Sequence, residues 1–421
     1  MSLINLLPII IILGGTFVLV RLRAFYVFHP IRTLKAILSA LNDRKARTSL
    51  FLAMGGTLGI GNIVGVAVGI SVGGAGSVLW LVLSSVFAMA LKYAESSLAA
   101  DLHTSSSDGM MSVLSASFPR LGRKLSYTYA ALCVLLSLVM GAALQSSGVI
   151  SCASVASLNP LFVGFVFSAA VFGVLVCGPE RVGGFTAVII PITTVIYIFL
   201  ALTTIFFNIS RLPSVLCDVI LSAFTPNAAV GGVVGFITST ALREGFSRGL
   251  LSNEAGAGTS SLAHSRISDN PATAGLLGMC EVFFDTVLLC PLTAIAILVS
   301  APDLSSTSGM SLVLSTIGST LGNASSVLVT VCIASFAFST VICWYCYGSR
   351  CLSFLRIRNL PYMLIYVGAT LLGVFFSEHL LITVTDYVLM TLTVFTTCGV
   401  MKNSDRLRRL SENAGLFGNS K

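Results

Sequence analysis

Long apolar stretches, separated by short polar or basic segments, fill almost the whole chain. Each is long enough to cross roughly 30 Å of hydrocarbon as α-helix, and none alternates like a barrel strand. The pattern predicts about eleven helices, with approximate cores at 3–21, 50–72, 76–101, 124–146, 160–178, 184–207, 229–264, 272–300, 323–349, 360–377 and 380–400. Two of them are interrupted: GGTLGIGN at 55–62 breaks the second, and NEAGAG at 253–258 breaks the seventh. Such backbone at membrane depth frees N–H and C=O groups, which is tolerated only where they line a protein-enclosed site. With the first helix set aside, the breaks fall at the same place in two successive halves of five helices. An odd number makes the halves enter the membrane in opposite orientations, as an inverted repeat requires.

The pattern therefore divides the chain into an N-terminal helix with a basic linker (1–48), two five-helix repeats (49–207 and 208–400) and a tail (401–421). Gly61, Gly65, Gly69 and Gly73 have the spacing of close helix packing. Gly55, Gly56, Gly59 and Gly61, crowded beside Asn62, predict unwinding instead.

Composition agrees: 55% of the 421 residues are hydrophobic and 10% charged, which excludes a soluble globule. Basic residues in short loops favour the cytoplasm. They cluster after the first helix (Arg21 to Arg47), at Arg120, Arg123 and Lys124, at Arg181 and Arg266, at Arg350, Arg356 and Arg358, and in the tail from Lys402 to Lys421. With the N-terminus outside and strict alternation, all of these are cytoplasmic and only Arg211, in the external 208–228 connection, is not. The expectation is a multi-pass protein of the cell membrane with a cytoplasmic C-terminus. This bias and attraction to anionic lipid account for the net charge of +8, with no nucleic acid implied. The first helix lacks a basic leader and runs into a basic stop, so it is read as a retained anchor. The eleven cysteines lie mostly inside spans without ligand spacing and are read as packing residues. Residues 101–123 are read as a cytoplasmic connection with a surface helix. No catalytic dyad converges, so an enzyme is not expected.

At its motifs the chain resembles the alanine or glycine:cation (sodium:alanine) symporter family. GNIVGVA at 61–67, GGAG at 73–76, ALKYAE at 90–95, SAFTPNAAVGG at 222–232, RGLLSNEAGAG at 248–258, GMCEVFFDT at 278–286 and FAFSTVICWYCYG at 336–348 carry the resemblance. It implies an all-α membrane fold of the leucine-transporter type, five plus five inverted helices preceded by one more. It also implies a small neutral amino acid and Na⁺ bound between the two broken helices, Na⁺ acting as coupling ion with no other cofactor. A zwitterion is held by half-helix N-termini and unwound carbonyls. The substrate site so implied comprises Gly59, Ile60, Gly61, Asn62, Gln145, Asn253, Gly256, Gly258 and Trp344. The Na⁺ site comprises carbonyls of Gly55 and Leu58 and hydroxyls of Ser339 and Thr340. Read without the family, adjacent Ser and Thr in a span bond to their own helix.

The chain departs from the family at Ile60, where a threonine is usual, and at 141–147 (GAALQSS), where two asparagines are missing. Intramembrane charges are costly and face protein. Lys92 and Glu95 are expected to pair across one helical turn, and Arg243, Glu244, Arg248, Glu254, Glu281 and Asp285 to form a gate or ion-pair network. His29, His103, His264 and His379 are read as interfacial. The function expected is sodium-coupled import of alanine or glycine by alternating access. The alternatives are a proton-coupled or uncoupled carrier of the same fold, or a transport-incompetent binding or sensor protein. Oligomeric state is not legible.

Overall fold

The computed structural model describes residues 7–105, 107–155, 157–224, 239–265, 270–300 and 309–417, all helices and connections apart from one isolated bridge between Thr104 and Ser107. The helices are α1 (Leu7–Arg21), α2 (Pro30–Ala40), α3 (Arg44–Thr57), α4 (Val64–Gly73), α5 (Gly76–Leu102), α6 (Gly109–Ser117), α7 (Gly122–Ala153), α8 (Pro160–Val176) and α9 (Pro179–Phe207). They continue with α10 (Leu212–Ala223), α11 (Thr240–Asn253), α12 (Ser260–His264), α13 (Pro271–Val299), α14 (Gly309–Leu321), α15 (Asn323–Phe354), α16 (Asn359–Leu372), α17 (Glu378–Lys402) and α18 (Ser404–Asn413). Among the described residues, 6 helices are long and apolar enough to cross a membrane, or 7 if the bent pair around Gly59 is one span. The remaining predicted spans coincide with the shorter apolar helices α1, α8 and α16, except the seventh. There α11 and α12 flank the break, and residues 229–238 lie outside the described residues, as do most of the 222–232 motif, Arg266 and the last residues of the tail.

Packing sorts the spans by position. In α5, 61% of the most apolar stretch is buried, against 39% in α9. Central α5 packs on α1, α6, α10, α11, α12 and α13. Large apolar side chains of α8, α9 and α16, such as Phe165, Phe199 and Leu364, stay exposed, as lipid-facing surfaces require. A second group forms where α15 meets α7, α8 and α9, and α16 meets α8 and α7. The two halves of the first broken helix link the groups: α3 lies against α9 and α15, and α4 against α11 and α14.

The small-residue spacing read from 61–73 serves this second contact. A Cβ on Gly69 would come within 3.0 Å of Arg248, and one on Gly73 within 3.0 Å of Glu244. In the basic linker, α2 exposes Ile31, Leu34 and Leu38 beside Arg32 and Lys35, the pattern of a helix lying in an interface. The helix predicted on the surface within 101–123 forms as α6 but is packed inward: Met110, Met111, Val113 and Leu114 are buried among α5, α7 and α17. Its apolar positions outnumber what a solvated turn can carry.

Basic segments gather at one end. Arg21 pairs with Asp405, Arg406 with Asp101, and Arg350 donates to the Leu262 carbonyl. At the opposite end Asn208 donates to Thr320 and Arg211 to the Val299 carbonyl.

Candidate functional site

The first break is a 63° bend between α3 and α4. Helical hydrogen bonding stops at Leu58 (ψ 71°), Gly59 is extended (φ −112°, ψ −158°), and a single 3₁₀ turn, Ile60–Asn62, leads into α4. Gly59 is required by close approach: a Cβ there would lie 2.7 Å from Gln145 Oε1 and 2.9 Å from Thr340 Oγ1. The freed backbone is tied to the neighbouring group by neutral contacts. Thr340 Oγ1 donates to the Gly55 carbonyl at 2.9 Å and lies 3.4 Å from that of Leu58. Trp344 Nε1 donates to the Gly56 carbonyl at 3.2 Å. Ile60 N–H donates to Gln145 Oε1 at 3.0 Å, and Gln145 Nε2 donates to the Met140 carbonyl at 3.3 Å. The Ile60 side chain rests on Gly148.

Gly55, Leu58 and Thr340 thus come together as the sequence implied. Ser339 does not join them; its hydroxyl is spent on the Phe336 carbonyl one turn back at 2.8 Å. Gln145, expected to face substrate, has both ends of its amide engaged in holding the break.

Beyond the bend, Asn62 is buried and its amide nitrogen donates to Asp285. Asp285 lies in a π-helical turn of α13, Phe283–Leu289, and its carboxylate also accepts from Ser252 Oγ at 2.8 Å and Thr286 Oγ1 at 2.6 Å. All of these donors are neutral. Among the described residues no lysine, arginine or histidine forms an ion pair with Asp285. Asn62 Oδ1 is buried without a hydrogen-bond partner among them. A cavity of about 10 Å³ opens beside Asn62, lined also by Leu58, Gly59, Tyr197 and Phe336. Sequence reasoning put Asp285 in a gate or ion-pair network and so missed its neutral hydrogen-bond partners beside the first break. The π turn that rotates it toward the break has no signal in the spacing, although π turns often mark functional sites. A second one, Ser137–Leu144, immediately precedes Gln145.

The second break differs. α11 ends at Asn253, whose side chain accepts from Ala255 N–H at 2.9 Å, fixing the turn that follows, and donates to Thr286 at 2.9 Å. Glu254, Gly256 and Gly258 take positive φ of 54°, 87° and 78°, which unwinds the chain up to α12. The freed amides do not point to the first break. Gly256 N–H and Gly258 N–H donate to the two oxygens of Glu95 on α5, at 2.6 and 3.1 Å. Tyr129 donates to the Ala257 carbonyl at 2.8 Å. A Cβ on Gly256 would meet Thr393, and one on Gly258 would meet Tyr129. Gly256 and Gly258, expected at the substrate, therefore have their donors occupied by a protein carboxylate, which outcompetes any local partner for unwound backbone.

This redirects the charges. Lys92 does not pair with Glu95; it bonds to Ser260 on α12 and lies 3.6 Å from Glu281 on α13. His264, read as interfacial, is fully buried between Glu281 and Ser49. Glu254 accepts from Thr259 at 2.6 Å, and its Oε1 is without a partner among the described residues. Nearer α4, Arg248 joins Glu244 at 3.1 Å and Asp386 at 3.9 Å, the ion-pair network expected there.

Comparison with known proteins decides the family. The Sodium:alanine symporter family matches residues 1–409. The chain belongs to it. Within this family's reach, the chain is 30% identical over 402 residues to an uncharacterized transporter of Haemophilus influenzae, covering 90% of this chain and 87% of that one. It is 29% identical over 389 residues to the sodium/alanine symporter AgcS of Methanococcus maripaludis, covering 86% and 85%. Among solved structures, a manganese transporter of Eremococcus coleocola superposes with a TM-score of 0.51 at 14% identity, covering 90% and 88%, and shares the fold only. As a member of the sodium:alanine symporter family, the chain is a multi-pass membrane protein of an amino-acid transport family.

Proposed function

We propose that the chain is a sodium-coupled importer of a small neutral amino acid, alanine or glycine, working by alternating access about the first break. The observation that carries this reading is the pair Asn62–Asp285: a buried carboxylate held by neutral donors, beside an amide oxygen with no partner among the described residues. A buried carboxylate with no ion-pair partner of its own costs several kcal/mol, and Lys92, engaged with Ser260 and Glu281, acts on this one only from a distance. A monovalent cation bound there compensates the carboxylate and satisfies the oxygen. One carboxylate with amide, carbonyl and hydroxyl oxygens is a hard-donor set that suits an alkali ion. Gly55, Leu58 and Thr340 offer a second set of such oxygens, with Ser339 behind them.

The substrate in this reading meets Gly59, Ile60, Gly61 and Asn62. Opening of the break frees the Ile60 N–H and the Gln145 amide for its carboxylate, while Trp344 walls the pocket and limits its size. The moving group is α3, α4, α5, α11, α12 and α13, and the frame is α7, α8, α15 and α16, each drawing its helices from both of the inverted repeats 49–207 and 208–400. The N-terminus is outside the cell membrane and the basic end, with the tail, is cytoplasmic. One Na⁺ moving down 100 mV supplies about 2.3 kcal/mol and a tenfold gradient about 1.4 kcal/mol more, enough for a few-hundred-fold accumulation.

A proton in place of Na⁺ is the second reading, favoured by the same carboxylate, which can carry one. Uptake of labelled alanine and glycine into vesicles under an imposed Na⁺ or H⁺ gradient separates the two. Accumulation only with the Na⁺ gradient supports the proposal. Accumulation with H⁺ alone, or equilibration without either, refutes it.

A further inference from the structure

We propose that a crevice at the basic end binds a phosphate-bearing anion, supplied in the membrane by the headgroup of an anionic phospholipid. The crevice encloses about 860 Å³ between residues 102–127 and 350–356. Three guanidinium groups line it, those of Arg123, Arg350 and Arg356, against one carboxylate, Asp108. Elsewhere at this end Arg21, Arg406 and Arg408 are matched with Asp405, Asp101 and Glu412. Within the crevice, Arg123 lies over the ring of Tyr127 at 5.7 Å, and neither it nor Arg356 forms an ion pair among the described residues.

Arg350 donates to the Leu262 carbonyl, which uses one of its five N–H donors. The lining also holds Ser107, whose hydroxyl is buried without a hydrogen-bond partner among the described residues. Converging guanidiniums beside hydroxyl donors are the chemistry that recognises phosphate, and basic pockets between membrane helices hold anionic headgroups.

The surroundings favour a lipid as the source. Leu121, Ile357 and Leu360, neighbours in sequence of Arg123 and Arg356, are 57%, 52% and 61% exposed, an apolar flank for acyl chains. The site also reaches the transport machinery: Leu262 belongs to α12, the half-helix that follows the second break. An anion on Arg350 orders the arginine that holds this half-helix in place.

The test is thermal unfolding of the full chain in neutral detergent. The additions are short-chain phosphatidylglycerol, phosphatidylcholine of the same chain length, or inorganic phosphate. Phosphatidylglycerol is expected to raise the unfolding temperature at concentrations where phosphatidylcholine does not. Arg123→Gln with Arg356→Gln should raise its half-saturating concentration about tenfold or more. Arg44→Gln with Arg409→Gln, which removes the same charge outside the crevice, should leave it unchanged. Phosphate acting by itself on the wild type, and not on the crevice variant, supports the site with a free phosphate compound as its ligand. Equal stabilisation of the crevice variant, equal effect of phosphatidylcholine, or no effect of either phosphate source overturns the proposal. Should the double variant not fold, Arg356→Gln at its exposed position gives the same readings.

Discussion

Two breaks in one membrane protein, both made by glycine-rich sequence, are held open by opposite means. At the first, unwound backbone is bound by neutral groups that reach across from the other helix group: Gln145 on Ile60 N–H, Thr340 on the Gly55 carbonyl and Trp344 on the Gly56 carbonyl. At the second, the amides of Gly256 and Gly258 are clamped by the two oxygens of one carboxylate, Glu95. Neutral hydrogen bonds contribute about 0.5–1.5 kcal/mol each and charge-assisted ones about 1.5–3. The first break can therefore exchange its partners for a ligand at small cost, and the second cannot. What the comparison teaches is that two look-alike motifs can differ in role: the first break, held only by neutral bonds to α7 and α15, is the one suited to exchange partners, and the second is a fixed part of the helix group that carries both.

Removing the clamp should have the largest effect. Glu95→Ala leaves two buried N–H groups without an acceptor and is expected to cost about 3–6 kcal/mol, from two charge-assisted bonds. A large drop in unfolding temperature and loss of a monodisperse peak in detergent would show it. Glu95→Gln, which keeps one acceptor oxygen, should lose roughly half as much. A wild-type-like Glu95→Ala would mean that the second break is not clamped.

Gln145→Leu probes the first break in the same way. It strands the Ile60 N–H, for an expected loss of about 1–3 kcal/mol, the range for one buried donor left unsatisfied. A stability loss as large as that of Glu95→Ala would erase the distinction between the breaks.

The smallest effects separate the adjacent hydroxyls. Thr340→Val removes the group that faces Gly55 and Leu58 and should weaken apparent Na⁺ affinity about tenfold, the equivalent of about 1.4 kcal/mol. Ser339→Ala removes one that bonds to its own helix and should change it by less than about twofold. A larger effect at Ser339 than at Thr340 would reverse the assignment of the ion-facing side of α15.

The breaks themselves were legible in the glycines, and so was the convergence of Gly55, Leu58 and Thr340, because the family motifs carry them. Local spacing also predicted close helix packing at Gly69 and Gly73, though not that α11 is the partner. It failed where partners are distant in sequence. Lys92 and Glu95 share a helix face, but the residues that claim Glu95 are 161 and 163 positions away. Unwound amides, visible only once the chain has folded back, bind a carboxylate better than an exposed-type i,i+3 lysine does. In the structure Asp285 and Gln145 take partners that were hidden for another reason. Each sits in or just after a π turn, whose extra residue rotates the following side chains relative to any 3.6-residue count. The inward packing of α6 and the burial of His264 by Glu281 likewise depend on neighbours that helical periodicity cannot name.

Central to the account is the ion proposed at the first break. Calorimetric titration of the purified chain with NaCl, at constant ionic strength set by a bulky organic cation, measures it most directly. The wild type should bind Na⁺, and alanine should tighten that binding by the same factor as Na⁺ tightens alanine. Asp285→Asn, which keeps the volume and removes the charge, should weaken Na⁺ at least about a hundredfold, about 2.7 kcal/mol, while remaining folded. Absence of Na⁺ binding in the wild type, or binding in Asp285→Asn indistinguishable from it, would contradict the account.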